Sequence, residues 1–558
     1  MSIHGGHVPY LQRIESPSNA DGATGSASQD FRNFLRQPED GERFTLNGRL
    51  EQHSPEENTD LLARLANRIR YADTWKSSTP LAGAALCWEN PGIPAGYTYF
   101  AQLVAHDLVQ STLAAPALDK LAGTFRNRRT CELDLDTLYG SGPTGCPHAY
   151  AIDSRSDLSR YRLRLSRMRR PKEEDPPAVP PFRDIGRGRV CHGNDKPRNG
   201  VTDPLIADPR NDDNANLSQL LTIFIHLHNA IMAALAANEP QPAHWSAARW
   251  KEVQFRTARQ IAAAVYRRIV RSDLLPRILE PGVLAAYDGR DAGLLGDRDP
   301  RMPLEFSHAA FRFGHAMVRN SYRLFADAPD TMPIIDILER TSARAPWSMP
   351  HNRAWIIQWS MFFDLGNGLA ASPSRRIGPS IAHKLQVDEA LGDNAAEPIN
   401  LAHRDLLRGA GMGLWSVPAL INALKASGPT ELADILPDYS EGAAYMRQWL
   451  DEHCRPVARA IRTLGDDEIG AIAADPPLWF YLLCEAAAPG CDGRHLGPLG
   501  SLIVAETLWP LSAPTAEDRD IEALEAEILG PDPIASMPGL IKKVAELAGL
   551  TYAWPEFL

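Results

Sequence analysis

The chain has 558 residues, 44% hydrophobic and 23% charged, with a formal net charge of −11, the profile of an ordinary folded protein with a sizeable core. That charge argues against a general nucleic-acid binder, which normally shows a basic stripe, and no run approaches the ~20 apolar residues needed to cross a bilayer. The length would allow more than one domain, but large helical enzymes fill it as one unit.

Residues 1–55 are rich in Ser, Gly, Asn and Asp and show little periodicity, which predicts an extended arm laid over the core. The opening MSIHGGHVPYLQRIES lacks the charged region and apolar core of a secretory signal. The seven cysteines (Cys87, Cys131, Cys146, Cys191, Cys454, Cys484 and Cys491) are odd in number and form no C-x-x-C pair. Together these features lead us to expect reduced thiols and a cytoplasmic location. A helix is expected over Asn58–Tyr71, then a Gly/Pro-punctuated connector over 77–95.

YTYFAQLVAHDLVQ (Tyr97–Gln110) has no internal Gly or Pro and reads as a helix. Gln102 and His106, four residues apart, share a face, while Asp107 is turned about 100° away and serves a different site. Residues 113–210 are expected to be mostly irregular, with a proline-dense stretch, RPKEEDPPAVPPF, that cannot be helix interior. The basic run YRLRLSRMRRPK within it reads as a solvated face. In TCELDLDTLYG the alternation can bring Thr130, Glu132, Asp134 and Asp136 to one side of an extended loop, a set of hard oxygen ligands suited to calcium although not an EF-hand.

Asp212 and Asp213, in DPRNDDN, suit a helix amino terminus. The long segment NLSQLLTIFIHLHNAIMAALAAN that follows is apolar all round and so expected to be a buried helix. Helical periodicity continues at Trp245–Arg271, Phe306–Tyr322, Arg353–Phe363, Pro418–Lys425 and Asp466–Ile472. No βαβ alternation or fixed repeat appears. The predicted fold is mainly α, with one large domain over 56–558 following the arm at 1–55.

Taken together, YTYFAQLVAHDLVQ, TCELDLDTLYG, DPRNDDN, FRFGH (Phe311–His315) and RDLLRG (Arg404–Gly409) resemble, in order and separation, the animal haem peroxidase superfamily. The resemblance runs from about residue 85 to about 510. It implies haem b and calcium as cofactors, with hydrogen peroxide and a small-molecule reductant as partners. It implies an enzyme that oxidises an organic donor or an easily oxidised halide through a ferryl intermediate. By the same resemblance His106 is the distal base, Gln102 a partner for distal water or substrate, and Arg210 the distal cation. Outside that setting, Arg210 would read as a helix-start arginine in a salt bridge.

The resemblance makes His315 the proximal iron ligand, with Arg312 and Arg408 meeting the haem propionates and Gly314 letting the backbone approach the porphyrin. Asp405 stands where the family commonly has asparagine. A carboxylate there would push the proximal imidazole toward imidazolate and lower the iron potential, although Asp405 could instead pair with Arg404 or Arg408. Calcium would be shared by Asp107, Thr130, Glu132 (through its carbonyl), Asp134 and Asp136. Mammalian relatives esterify haem through two carboxylates. Ala105 forbids the first ester, and Asp213, one methylene shorter than the usual glutamate, leaves a single ester open but haem b otherwise non-covalent. The later RGRDHG-like signature is reduced to RGAGMG.

Two other readings stay open. A fatty-acid dioxygenase would need a tyrosine near the haem, expected in AWIIQWSMFFDLGN (Ala354–Asn367), which holds Trp355 and Trp359 but no tyrosine. A non-catalytic, calcium-stabilised haem-binding protein would need no distal base and cation, yet His106, Arg210 and His315 are all present.

Overall fold

The computed structural model describes residues 31–71, 74–76, 78–111, 126–151, 160–168, 183–190, 201–296, 299–386, 401–455 and 463–548. Helix accounts for 55% and strand for 8%, as the mainly α expectation requires. The proline-dense stretch at 170–182 and most of the arm at 1–30 lie outside the described residues. From 31 the arm runs over the surface, buries Phe34, Phe44 and Leu46, and bridges Arg32 to Pro303 and Arg43 to Trp415.

Helix α1 (Pro55–Tyr71) begins with a reciprocal cap: the Glu57 amide donates to the Ser54 hydroxyl at 3.2 Å, and the Ser54 amide to the Glu57 carboxylate at 2.9 Å. The strand Glu89–Pro94 pairs antiparallel with Pro373–Arg375 and delivers the chain into α2 (Gly96–Leu108). A Cβ on Gly96 would lie 2.4 Å from the Phe363 ring, so only glycine lets this junction close on the Phe362–Phe363 turn. Three other two-stranded sheets occur among the described residues.

Helix α3 (Ala215–Asn238) is the buried centre. Its cap is Asn214, which accepts from the Leu217 amide at 2.8 Å, rather than Asp212 or Asp213 as the sequence led us to expect. Asp212 is tied to Arg187 and the Ser342 amide before the helix starts, and the Asp213 carboxylate faces the cavity instead. This helix is long and apolar enough to span a membrane, yet two-thirds of its apolar window (67%) is buried inside the protein. Helix α4 (Ala247–Ile269) packs on α3, and α2 meets both through Phe100, which stacks on Phe224 at 6.3 Å and meets Tyr266 edge-on at 6.1 Å.

Two predicted helices are broken. Phe306–Tyr322 divides into α5 (Leu304–His308), a 3-10 turn at Ala310–Phe313 and α6 (Gly314–Met317), then becomes a strand at Ser321–Tyr322. His308, Arg312, His315 and Arg319 keep a helical spacing across the whole segment, so periodicity could not locate the break at Ala309, where φ is −137° and ψ −74°. Arg353–Phe363 holds only two 3-10 turns, Arg353–Trp355 and Trp359–Met361. Its bulk is buried against the start of α2 instead, where the Gly96 amide donates to the Phe362 carbonyl at 2.9 Å. Helix α7 (Leu401–Gly411) lies on α1, and α8 (Leu478–Ala487) backs the 3-10 turn.

Candidate haem site

A cavity of about 630 Å³ opens between α2, the 209–214 turn, α5–α6 and α7. Gln102, His106, Arg210, Asp213, Arg312, His315 and Arg408 all line it, so the structure brings together residues spread over 300 positions of sequence. Asp405 stands behind the wall, fully buried.

On the distal side, His106 projects from the last turn of α2. Its Nδ1 lies 3.0 Å from Asn211 Oδ1. The orientation of Asn211 is set by its neighbours. Its Nδ2 donates to the Thr137 hydroxyl at 2.8 Å, and that hydroxyl donates to the fully buried carboxylate of Asp208 at 3.2 Å. The amide oxygen must therefore face His106, and Nδ1 must carry the proton. That leaves Nε2 as an unprotonated base on the cavity side. Burial, with the charge of Arg210 adding to it, pushes the His106 pKa down to about 4, so the ring is neutral near pH 7.

Arg210 lines the cavity but is committed to the protein: Nε and Nη2 reach Asp208, and Nη1 and Nη2 cap the carbonyls of Val109 (2.7 Å) and His106 (2.8 Å). It closes the carboxyl end of α2 while presenting its outer face to the cavity. Burial would raise the Asp208 pKa, but Arg210 and Arg129 outweigh it and hold it at about 2. Gln102 accepts from Asn214 Nδ2 at 3.2 Å. Asp213 points its carboxylate toward His106, with Oδ2 4.0 Å from Nε2. Although the side chain is open to the cavity, its enclosure by the surrounding protein raises its pKa to about 7 against the opposing charge of Arg210.

On the proximal side, His315 Nδ1 lies 2.6 Å from Asp405 Oδ2, and Arg312 Nη1 donates to Asp405 Oδ1 at 2.9 Å. Asp405 thus pairs with His315 and Arg312, not with Arg404 or Arg408. His315 and Arg312 together hold its pKa below the ordinary carboxylate value in spite of burial. Arg312, expected on a propionate, spends one arm on this carboxylate. With Nδ1 so engaged, Nε2 of His315 is the nitrogen left to a ligand in the cavity. Apart from its chain neighbours and its own helix, no atom of the described residues lies within 4 Å of the position a Cβ on Gly314 would take, so the floor beside His315 is open to a flat group. Burial and the charge of Arg312 lower the Arg408 pKa to about 10, as expected of a cation awaiting an anionic partner. Haem fits this residue set.

Asp107 points away from the cavity, as the helical offset predicts. It is fully buried and accepts from the amides of Leu135 (3.1 Å) and Thr137 (3.0 Å). The loop reaches it through left-handed backbone at Cys131 (φ 62°) and Leu135 (φ 61°), conformations that cost a non-glycine residue about 1 kcal/mol or more. Burial and the neighbouring Asp134 and Asp136 raise the Asp107 pKa well above normal, and burial with Asp136 raises Asp134 to about 6. The Thr130 hydroxyl donates to Asp134 at 3.5 Å, the Glu132 amide to Thr130 Oγ1 at 3.4 Å, and Arg259 Nη2 to Asp134 at 2.9 Å. Among the described residues no three acidic, histidine or cysteine side chains converge into a metal site by themselves.

Sequence reasoning missed Asn211, Thr137, Asp208 and Arg129, which fix the distal imidazole. Three of the four stand inside motifs that were singled out, but their pairing joins residues about 70 apart, which no local pattern displays.

A mainly α fold with a cavity between two oriented histidines defines a class of helical proteins that hold a planar cofactor between them. The chain belongs to the animal haem peroxidase family, whose profile matches residues 107–450. Human thyroid peroxidase is 28% identical over 299 residues, and mouse eosinophil peroxidase 28% over 173. These matches take in 52% and 31% of this chain and only 29% and 22% of those relatives. Peroxidase A from Dictyostelium discoideum has the same fold, with a TM-score of 0.55 at 15% identity, covering 95% of this chain and all of that one.

Proposed function

We propose that this protein is a haem peroxidase that uses hydrogen peroxide to oxidise a small organic donor or an easily oxidised halide. The observation that carries this reading is the fixed tautomer of His106, an unprotonated Nε2 held across the cavity from His315. A protein that merely binds haem has no use for a base locked in that state. Haem b would be held through His315 Nε2, with Arg408 and the outer face of Arg312 toward its propionates. When bound, it supplies the two-electron reduction of peroxide. His106 Nε2 takes the proton from one peroxide oxygen and returns it to the other as water leaves. Arg210 holds positive charge beside the breaking O–O bond. Asp405 keeps the His315 Nδ1 proton oriented and raises the basicity of Nε2.

Calcium completes the proposal. Burial, together with the mutual repulsion of the clustered carboxylates, raises the pKa of Asp107 and Asp134, and Asp107, Asp134, Asp136 and Thr130 supply hard oxygens, with main-chain carbonyls such as that of Glu132 making up the shell. Haem b bound without an ester, with Asp213 as the single carboxylate able to form one, completes the cofactor assignment.

The test is to add haem and then peroxide. A Soret band followed by rapid peroxide-dependent change is expected, and His106→Ala should keep the band and lose the fast reaction. Full speed in that variant would refute the assignment. One observation favours the dioxygenase reading: Tyr99 lines the cavity three residues before Gln102. Tyr99→Phe should leave peroxide turnover intact; loss of oxygen uptake on a fatty acid with peroxide turnover unchanged would reverse the ranking.

A further inference from the structure

We propose that Asp213 acts as a free carboxyl and serves as a second proton carrier on the distal side, working with His106. The proposal rests on the peroxidase reading. Three observations support it. The Asp213 side chain is 55% exposed, but into the cavity, with Oδ2 4.0 Å from the basic nitrogen of His106. That distance is one side-chain rotation from a hydrogen bond. No hydrogen bond to another described residue holds Asp213 back, unlike its neighbour Asp212, which is tied to Arg187 at 2.8 Å and the Ser342 amide at 2.7 Å. And because Asn211 fixes the proton on Nδ1, the facing nitrogen of His106 is an acceptor whenever Asp213 is protonated.

The charged groups that face Asp213 are Arg210, Asp208 and Asp212 from its own turn, His106 from α2 and Arg344 from the loop after residue 340. Arg210 and Arg344 favour the carboxylate, whereas burial, Asp208 and Asp212 favour the acid. The balance places its titration near neutrality, well above that of Asp208, which its two arginines hold at about 2. Two donors of the phenol type, AH, react overall as H₂O₂ + 2 AH → 2 H₂O + 2 A•. Each donor gives up one electron and one proton. Haem, when bound, would take up the two electrons, and the two protons end in the second water. Asp213 receives each proton from the donor hydroxyl and passes it to His106 Nε2, returning to its starting state.

Hydrogen cyanide, a weak acid that binds haem iron only by leaving its proton on the distal base, reads this pair without turnover. Ionised Asp213 favours a proton on His106, so cyanide should bind the haem-loaded protein about threefold or more tighter at pH 8 than at pH 6. In Asp213→Asn that difference should vanish while the Soret band stays. Infrared difference spectra between the two pH values should show one carboxylic-acid C=O stretch that the variant lacks. An unchanged cyanide profile in D213N overturns the proposal. So does haem that resists acidified-solvent extraction in the parent but not in D213N, because Asp213 would then be the esterified carboxylate. Absence of a Soret band on adding haem defeats the peroxidase reading itself, and is distinct from both.

Discussion

Asn211 shows how one amide can decide the chemistry of a ring it only touches. Its oxygen faces His106 because its nitrogen is taken by Thr137, and Thr137 is in turn aligned by Asp208. Asn211→Ala should release the imidazole to its other tautomer and slow the reaction with peroxide roughly 100-fold with haem still bound, measured by stopped-flow absorbance. On the other wall, Asp405→Asn should raise the iron reduction potential, read by spectroelectrochemistry, because a neutral amide withdraws less of the Nδ1 proton of His315.

Asp208 also gives a pH prediction. Its folded pKa, about 2, lies below the ordinary value of roughly 3.9 in an unfolded chain. The folded state therefore binds fewer protons. The stabilisation, about 2–3 kcal/mol, is fully present above pH 4 and is lost as pH falls through 2. Asp208→Asn should flatten that part of the acid-unfolding curve followed by circular dichroism.

At the scale of elements, the turn that carries Arg210, Asn211 and Asp213 is braced from outside the cavity. Arg187, on the strand Arg187–Val190, reaches Asp184 at 2.7 Å and Asp212 at 2.8 Å, all three side chains being within 3% of fully buried. Removing one member of such a network leaves a buried charge without its partner. Arg187→Met should cost about 3–5 kcal/mol in denaturant titration. The loop holding Asp107 is a second brace. With calcium bound there as proposed, chelation should lower the thermal midpoint, and Asp107→Ala should make the midpoint insensitive to chelator.

For the molecule as a whole, what the sequence displays and what it hides divide along one physical line. Gln102, His106 and Asp107 were legible because helical geometry alone assigns their faces, and the buried α3 because its apolar run is continuous. The family motifs brought His315 and Arg210 to one cavity. The break at Ala309 and the absence of a helix over Arg353–Phe363 were not legible, since the polar spacing of the first stays helical through the break, the second is mostly apolar, and tertiary packing alone chose their course. The destinations of Asp212 and Arg312 were hidden because each is decided by a partner from a distant segment, whereas the family motif had already put Asp405 behind His315.

That last feature bears on how the protein is made. About 190 residues separate Asp213 on one wall from Asp405 on the other. At roughly 5–20 residues per second a ribosome needs about 10–40 s to pass from the first to the second. Throughout that interval the distal histidine exists and the proximal pair does not. A haem met then would find His315 either not yet made or without Asp405 behind it, so correct loading belongs after synthesis has passed α7.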